Sequence, residues 1–383
     1  MKRAPLHRNV VITGLTSFFT DVSSEMVYPL LQAFVSAILQ TQKALIGPVI
    51  GIMEGIAEST ASLLKVFAGY YSDRVKKRKA PAILGYGLSI IGKGFLLLAT
   101  PAAWFFVLIS RFVERVGKGI RTAPRDALIS ESTPKEEQGR AFGIQRGMDF
   151  AGATMGSLIA ILLVRKFMEG AARNAAGVGS SAGTGAAAGL APFYTFFLIS
   201  LIPAALGVIV LFFLRETRGG EAKKDRPKPN LRLSQYNTGL RVFFLAQFVF
   251  TLGNSSNQFL LLRSMNLGYS LSVVIGMYLL MNLISTLLSP VFGSLSDRIG
   301  RKRLLVIGYI MYGIVYGAFG FIGAEAGWVL WIFWPVYGVY YALTEGVEKA
   351  FVADLAPRDS KATALGFYHT IVGIGLLPAS IIA

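Results

Sequence analysis

The chain contains a series of apolar stretches, each about 20 residues long or longer, and these constrain its fold more than any other feature. A helix of that length crosses the roughly 30 Å hydrocarbon core of a bilayer. Backbone groups in lipid must bond within their own segment, and short alternating strands typical of a barrel are absent from the sequence, so each stretch is predicted to be a spanning helix. The predicted spans are residues 10–39, 45–72, 80–100, 103–124, 137–165, 192–214, 238–262, 270–295, 303–323, 327–353 and 363–383.

The basic residues are distributed unevenly among the loops, although the formal net charge of +17 would by itself permit nucleic-acid binding. Most Lys and Arg residues lie before the first span and in every second loop after it. The positive-inside rule therefore predicts a multi-pass protein of the cell (inner or cytoplasmic) membrane with a cytoplasmic N-terminus. No segment interleaves basic and aromatic residues as nucleic-acid surfaces do, so nucleic acid is rejected as a partner.

Residue usage also excludes several chemistries. The chain has no cysteine and two histidines, His7 and His369, which excludes disulfides and makes a metal site improbable. We expect His369 to be a packing residue. A phosphate-binding loop is missing too, because VERVGKGIRT lacks the required spacing. No cofactor is expected, and the energy for any transport must come from a gradient or from the substrate.

Two segments of the sequence occur twice. GYYSDRVKKRK at 69–79 is repeated as GSLSDRIGRKR at 293–303, and ISESTPKEEQGRAFGI at 129–144 aligns with VADLAPRDSKATALGF at 352–367. The nearly identical offset indicates a duplicated unit of six helices. We predict an all-α membrane protein with a first half at 1–214, a cytoplasmic linker at 215–236 and a second half at 237–383. We expect that a twelfth span is missing at the C-terminus; eleven natural spans are the alternative.

The repeated loop resembles the G-x-x-x-D-R-x-G-R motif of the major facilitator superfamily of secondary transporters. The second copy matches throughout, whereas the first has Lys76 in the place of a glycine. The resemblance implies two pseudo-symmetric halves that expose a central site alternately to each side. The matching gating residues are Gly69, Asp73, Arg74 and Arg78 in the first loop, and Gly293, Asp297, Arg298, Gly300 and Arg301 in the second.

The same resemblance implies two gating contacts between the halves. Asp73 is expected at the start of the eleventh span, and Asp297 at the start of the fifth, because a helix N-terminus favours an acid. Arg74 and Arg298 are expected to pair with Glu131 and Asp354. These contacts would close the cytoplasmic side and break when the halves rock.

Ionisable residues within the spans require a protein or water-filled interior, because each costs about 3 kcal/mol at the bilayer centre. We predict that Asp21 and Glu25 are the proton-coupling pair, with Arg111 and Arg115 modulating them or holding an anionic group. For Arg146 with Asp149, and for Lys349 with Glu345, permanent salt bridges remain an equal alternative. The predicted coupling and substrate residues are Asp21, Glu25, Tyr28, Glu54, Glu58, Arg111, Arg115, Arg146, Asp149, Asn254, Asn257 and Glu345. A further group near the cytoplasmic end is predicted to serve as surface or latch residues: Glu114, Lys118, Arg121, Arg125 and Asp126.

These features favour proton-coupled export of a small organic molecule by a monomer embedded in membrane lipid. Uniport or import of an anionic or zwitterionic metabolite is the main alternative, because arginines lie on the same helices. A scaffold or receptor would not need acids in the middle of spans. An enzyme is the weakest alternative, because no nucleophile-base pair or metal-ligand set is visible.

Overall fold

The computed structural model describes residues 6–164, 186–216, 234, 236–254, 257–269 and 271–382. Within these ranges the fold is all-α, as predicted, and no strand is found. The α-helices are α1 (Arg8–Ile38), α2 (Ile46–Val75), α3 (Lys79–Phe95), α4 (Phe105–Glu131), α5 (Gln138–Val164), α6 (Ala186–Leu211), α7 (Thr238–Leu252), α8 (Asn257–Asn266), α9 (Leu271–Ile299), α10 (Arg301–Phe321), α11 (Leu330–Leu355) and α12 (Lys361–Ile382).

Each predicted span coincides with a helix, except that the seventh is divided. Helix α7 ends at Leu252, and α8 begins at Asn257. By length and composition alone, six helices of the described residues could cross a membrane. Helix α4 extends seven residues beyond the span predicted to end at 124, up to Glu131. The predicted linker lies mostly outside the described residues, and its boundaries remain a prediction.

Two sets of helices pack against each other, which we call the first half (6–216) and the second half (234–382). The contacts between them are made chiefly by α5 against α9 and by α2 against α12, with α11 also packing on α5. The loops at 76–78, 132–137 and 356–360, together with Gly300, lie at one end of the bundle, which we call the basic end.

The repeated glycines lie where helices of the two halves cross. A Cβ atom on Gly69 would overlap the carbonyl of Ala362, and one on Gly293 would overlap the carbonyl of Gly139. The second repeated pair behaves alike, because Gly143 and Gly366 also lack room for a side chain against the opposite half. The sequence repeat therefore preserves close helix contact, which small residues permit in membranes.

Apolar side chains from both halves close the basic end. Val10, Ile129 and Phe142 of the first half pack in one buried cluster with Ala350 and Ala353 of the second. All five are at most 1% exposed. The two halves are thus sealed together at this end of the molecule.

Candidate functional site

Asp21 and Glu25 lie one turn apart on α1 and face α5. Gly152 and Gly156 of α5 bring the backbone of that helix close to the Cβ atoms of Asp21 and Glu25, respectively. Both carboxylates are partly exposed, and neither forms a hydrogen bond or an ion pair with any described residue. Two such acids in a membrane helix are the feature that most needs a functional explanation.

A cluster of charged groups lies beside them on α3 and α4. Arg111 is buried, donates to Glu114 at 2.8 Å, and places its guanidinium 5.9 Å from the ring centre of Tyr28. Glu114 is therefore part of this cluster, and its prediction as a surface or latch residue is wrong. Arg115 is partly buried on the same helix.

Lys93 on α3 belongs to the same cluster and was not predicted. It is 2% exposed and donates to the hydroxyls of Ser23 at 2.6 Å and Ser24 at 3.1 Å. Ser24 in turn lies 3.4 Å from Glu114. The sequence did carry a signal, because IGKGF places a lysine inside a predicted span. The side chains of Glu54 and Glu58, which are predicted site residues, lie outside the part that the structure describes.

Charged residues of α4, α5 and α11 join the two halves. Arg146 of α5 bonds Asp149 at 3.0 Å within its own helix and also contacts Glu345 of the second half. Lys349 does not pair with Glu345, which corrects one predicted alternative. It lies instead 3.7 Å from Asp126 of α4.

Asp126 is the centre of this second interhalf contact. It is fully buried, pairs with Arg125 at 2.8 Å, and lies 2.9 Å from Nε2 of His369 on α12. The prediction of Asp126 as a surface residue is wrong, whereas the alternative of a latch residue agrees with these contacts between the halves. Arg121, which was predicted in the same way, is 8% exposed and is not a surface residue. Asp126 was predicted at the surface because the predicted fourth span ends at 124, two residues before it. We call Asp126, Arg125, Lys349 and His369 the interhalf cluster.

The second half presents amides and phenols toward the centre of the molecule. Asn257 Oδ1 accepts hydrogen bonds from the hydroxyls of Tyr337 and Tyr341, each at 3.0 Å. Asn254 lies 3.4 Å from the Tyr340 hydroxyl. Tyr341 also packs edge-to-face on Phe150 of the first half. The two predicted asparagines are therefore held in an aromatic surface.

The first repeated loop binds the opposite half through Asp73, as the resemblance implies. Its Oδ2 accepts from the backbone N–H of Thr363 at 2.8 Å and from the Thr363 hydroxyl at 2.6 Å. Its Oδ1 receives Arg78 at 2.7 Å, and Arg78 also reaches Glu131 at 2.6 Å. Asp73 thus caps the first turn of α12 from the other half. We call this group the first latch.

Arg78 stays charged at the centre of the first latch. Burial lowers the pKa of its guanidinium, but the hydrogen bond to Glu131 and the charge of Asp73 outweigh that effect, and the net shift is upward. Arg74, which the sequence predicted to pair with Glu131, is exposed. Lys76 adopts φ 55°, the conformation for which the family uses glycine.

The second repeated loop forms an equivalent contact, which we call the second latch. Asp297 accepts from the backbone N–H groups of Gly139 and Arg140, both at 2.8 Å, and so caps α5. Arg301 bonds Asp297 and reaches Asp354 at 3.1 Å. Arg298 is exposed and does not pair with Asp354, so the predicted partner is corrected to Arg301.

Membrane-spanning helices that carry buried charges between two packed halves are typical of membrane transport proteins. The chain belongs to the Major Facilitator Superfamily, whose family model matches residues 13–380. That family consists of transporters rather than enzymes, and its members are multi-pass membrane proteins. The family resemblance stated from the repeated loop is confirmed.

Individual proteins agree with this assignment. The chain is 37% identical over 391 residues to an uncharacterised MFS-type transporter of Methanocaldococcus jannaschii, covering 99% of this chain and 88% of that relative. It is 25% identical over 327 residues to the multidrug resistance protein MdtG of Salmonella arizonae, and this match covers 79% of this chain and 70% of that protein.

Solved structures show the same fold. The human organic anion transporter MFSD10 superposes with a TM-score of 0.71 at 16% identity, covering 99% of this chain and 93% of that one. The proton:xylose symporter XylE superposes with a TM-score of 0.72 at 15% identity, covering 97% of this chain and 86% of that one.

Proposed function

We propose that this transporter exports a small organic molecule in exchange for protons, by alternating access between its two halves. The observation that carries the proposal is the pair Asp21 and Glu25, which have no partner among the described residues. A carboxylate without a cation partner binds a proton readily when it is buried and loses it when water reaches it. The similarity to a multidrug resistance protein supports the direction of transport.

The latches supply the conformational part of the proposal. Both lie at the basic end, and the positive-inside rule supports a cytoplasmic position for that end. With both latches formed, the molecule is closed on that side, and the central residues would face outward. Breaking the latches as the halves rock would expose Asp21 and Glu25 to the cytoplasm.

The test uses the purified protein in proteoliposomes. A thermal-shift screen of metabolites and drugs, repeated at two pH values, selects the compound that stabilises the protein most. Asp21→Asn with Glu25→Gln should abolish transport of that compound driven by a pH gradient while preserving its exchange at equal pH. Glu136→Gln, which alters an exposed acid, is the control. Undiminished gradient-driven transport by the double variant would overturn the proposal.

Uniport or import of an anionic or zwitterionic metabolite is the second candidate. It is favoured by Arg146, which is 25% exposed at the side chain and bridges Asp149 and Glu345. An anionic substrate group would compete with Glu345 for this arginine. A transport rate that does not respond to an imposed pH gradient in the unaltered protein would support this second candidate instead.

A further inference from the structure

Two pairs of consecutive residues connect the interior of the second half to the interface between the halves. Lys349 and His369 reach across to Asp126 of the first half. The residues immediately before them, Glu348 and Tyr368, bond to each other inside the second half. A movement of the helix backbone at either pair would therefore displace both of its residues.

Glu348 is buried among neutral partners. It is 4% exposed, and no described cation lies within ion-pair distance of its carboxyl group. Oε2 accepts the Tyr368 hydroxyl, and Oε1 lies 2.7 Å from the Tyr309 hydroxyl oxygen. The Tyr309 oxygen is also 2.7 Å from Oε1 of Gln247 on α7. Four helices of the second half thus meet at this carboxyl group.

Counting hydrogens limits the possible protonation states of Glu348. The Tyr309 hydroxyl has one hydrogen but contacts two oxygens, one on Gln247 and one on Glu348. If Tyr309 donates to Gln247, its contact with Glu348 needs a hydrogen on the carboxyl group. A protonated Glu348 supplies that hydrogen and still accepts from Tyr368, so every contact is satisfied.

The opposite arrangement is more costly. With the Gln247 amide reversed, its N–H group would donate to Tyr309, and Tyr309 would donate to an ionised Glu348. That leaves a buried carboxylate charge with no cation partner among the described residues, and such a charge costs about 3 kcal/mol in the membrane interior. The protonated form avoids this cost with the same number of hydrogen bonds.

We propose that Glu348 holds a proton in this closed conformation and is a second proton-binding site of the transporter, in the half of the molecule opposite Asp21 and Glu25. Its role in transport rests on the proposed proton coupling. Loss of the proton would place a negative charge directly beside Lys349 and weaken the hold of Lys349 on Asp126. Release of the proton and separation of the halves would thereby favour each other.

The groups that contact the Glu348 carboxyl group are neutral, and the charged groups around it lie beyond ion-pair distance. Tyr309, Tyr340 and Tyr368 face it from α10, α11 and α12, and Gln247 faces it from α7. The charged groups beyond them belong to the interface. They are Lys349 and Glu345 on α11, His369 on α12, Arg125 and Asp126 on α4, Arg146 and Asp149 on α5, and Lys65 on α2.

Infrared difference spectroscopy of the whole protein in liposomes tests the proton directly. We expect the carbonyl stretch of a protonated carboxylic acid, shifted in D2O, to be lost in Glu348→Gln, which mimics the neutral acid in size. Glu345→Gln is the matched control. Glu345 lies one turn before Glu348 on α11 and is ion-paired with Arg146, so it contributes no such band. Tyr309→Phe, which keeps the carboxyl group, should shift the band by removing its hydrogen-bond partner.

An unchanged band in Glu348→Gln together with no shift in Tyr309→Phe would overturn the proposal that Glu348 is protonated. For the role in transport, Glu348→Gln should reduce gradient-driven transport of the compound found by thermal shift at least tenfold and preserve exchange at equal pH. Equal gradient-driven rates would overturn that role. If transport by the unaltered protein does not respond to the pH gradient, both the proposed proton coupling and the role of Glu348 in transport are wrong. The infrared band still tests whether Glu348 is protonated.

Discussion

Asp297→Asn tests the second latch most directly. The substitution keeps the size of the side chain and one acceptor oxygen but removes the charge that caps α5 through Gly139 and Arg140. It also removes the anion next to Arg301, which retains Asp354 at 3.1 Å. Charge at a partly buried helix N-terminus contributes up to about 2 kcal/mol, and a charged hydrogen bond contributes about 1.5 to 3 kcal/mol.

Because asparagine retains part of these bonds, we expect the closed state to lose about 2 kcal/mol, which lowers the closed-to-open ratio about 30-fold. Asp73 and Asp297 share no hydrogen-bond or ion-pair partner among the described residues. The double variant Asp73→Asn with Asp297→Asn should therefore lose about 4 kcal/mol if the two effects add. A transporter needs states separated by only a few kcal/mol, so the double variant should populate the open state.

Electron spin resonance distance measurements can detect this shift through cysteines introduced for labelling, and no native cysteine has to be removed first, because the chain has none. Labels at Lys77 and Lys302, both exposed at the basic end of different halves, report their separation. The distance distribution should broaden toward longer values in Asp297→Asn and more so in the double variant. An unchanged distribution in the double variant would refute the latch.

Three further predictions use the same labels or the same liposomes. Arg301→Gln should increase the open population about tenfold, corresponding to ~1.4 kcal/mol for a lost charged pair, whereas Arg298→Gln should not; equal effects would contradict the assignment of Arg301 as the partner of Asp354. Gly143→Val should open the basic end by at least as much as the latch variants, because the valine side chain would overlap the carbonyl of Ser289. An unshifted distance distribution would show that this helix crossing tolerates a side chain. Lys93→Met should keep or raise the unfolding temperature, because the buried amine donates hydrogen bonds only to hydroxyl groups among the described residues. The same variant should reduce transport at least tenfold. A loss of both thermal stability and transport would mean that Lys93 has a structural role.

The latches show which contacts the repeat could predict. The positions of Asp73 and Asp297 were available from the motif, because a repeated acid next to a repeated helix start has a simple electrostatic reason. The arginine partners were wrong, since Arg74 and Arg298 stand next to the acids in sequence but point outward. Arg78 and Arg301 reach the acids because the turn brings the start of the next helix back beside the end of the previous one.

The ionisable residues of the interior divide in the same way. Asp21 and Glu25 could be selected from α1 alone, because an acid within an apolar stretch has few structural explanations. The partners of Asp126 could not, because Lys349 and His369 are more than 200 positions away along the chain and on different helices. The environment of Glu348 could not be predicted from the sequence either, because side chains from three other helices complete it.

The sequence by itself determined the all-α membrane fold, the repeat and the family, because each depends on periodic or local patterns: hydrophobic length, loop charge and a motif read along one segment. Only the tertiary structure decided which charges pair across the two halves and which carboxyl group is left among neutral partners. These properties depend on distances between helices far apart in the chain, and the local pattern of a single segment does not contain those distances.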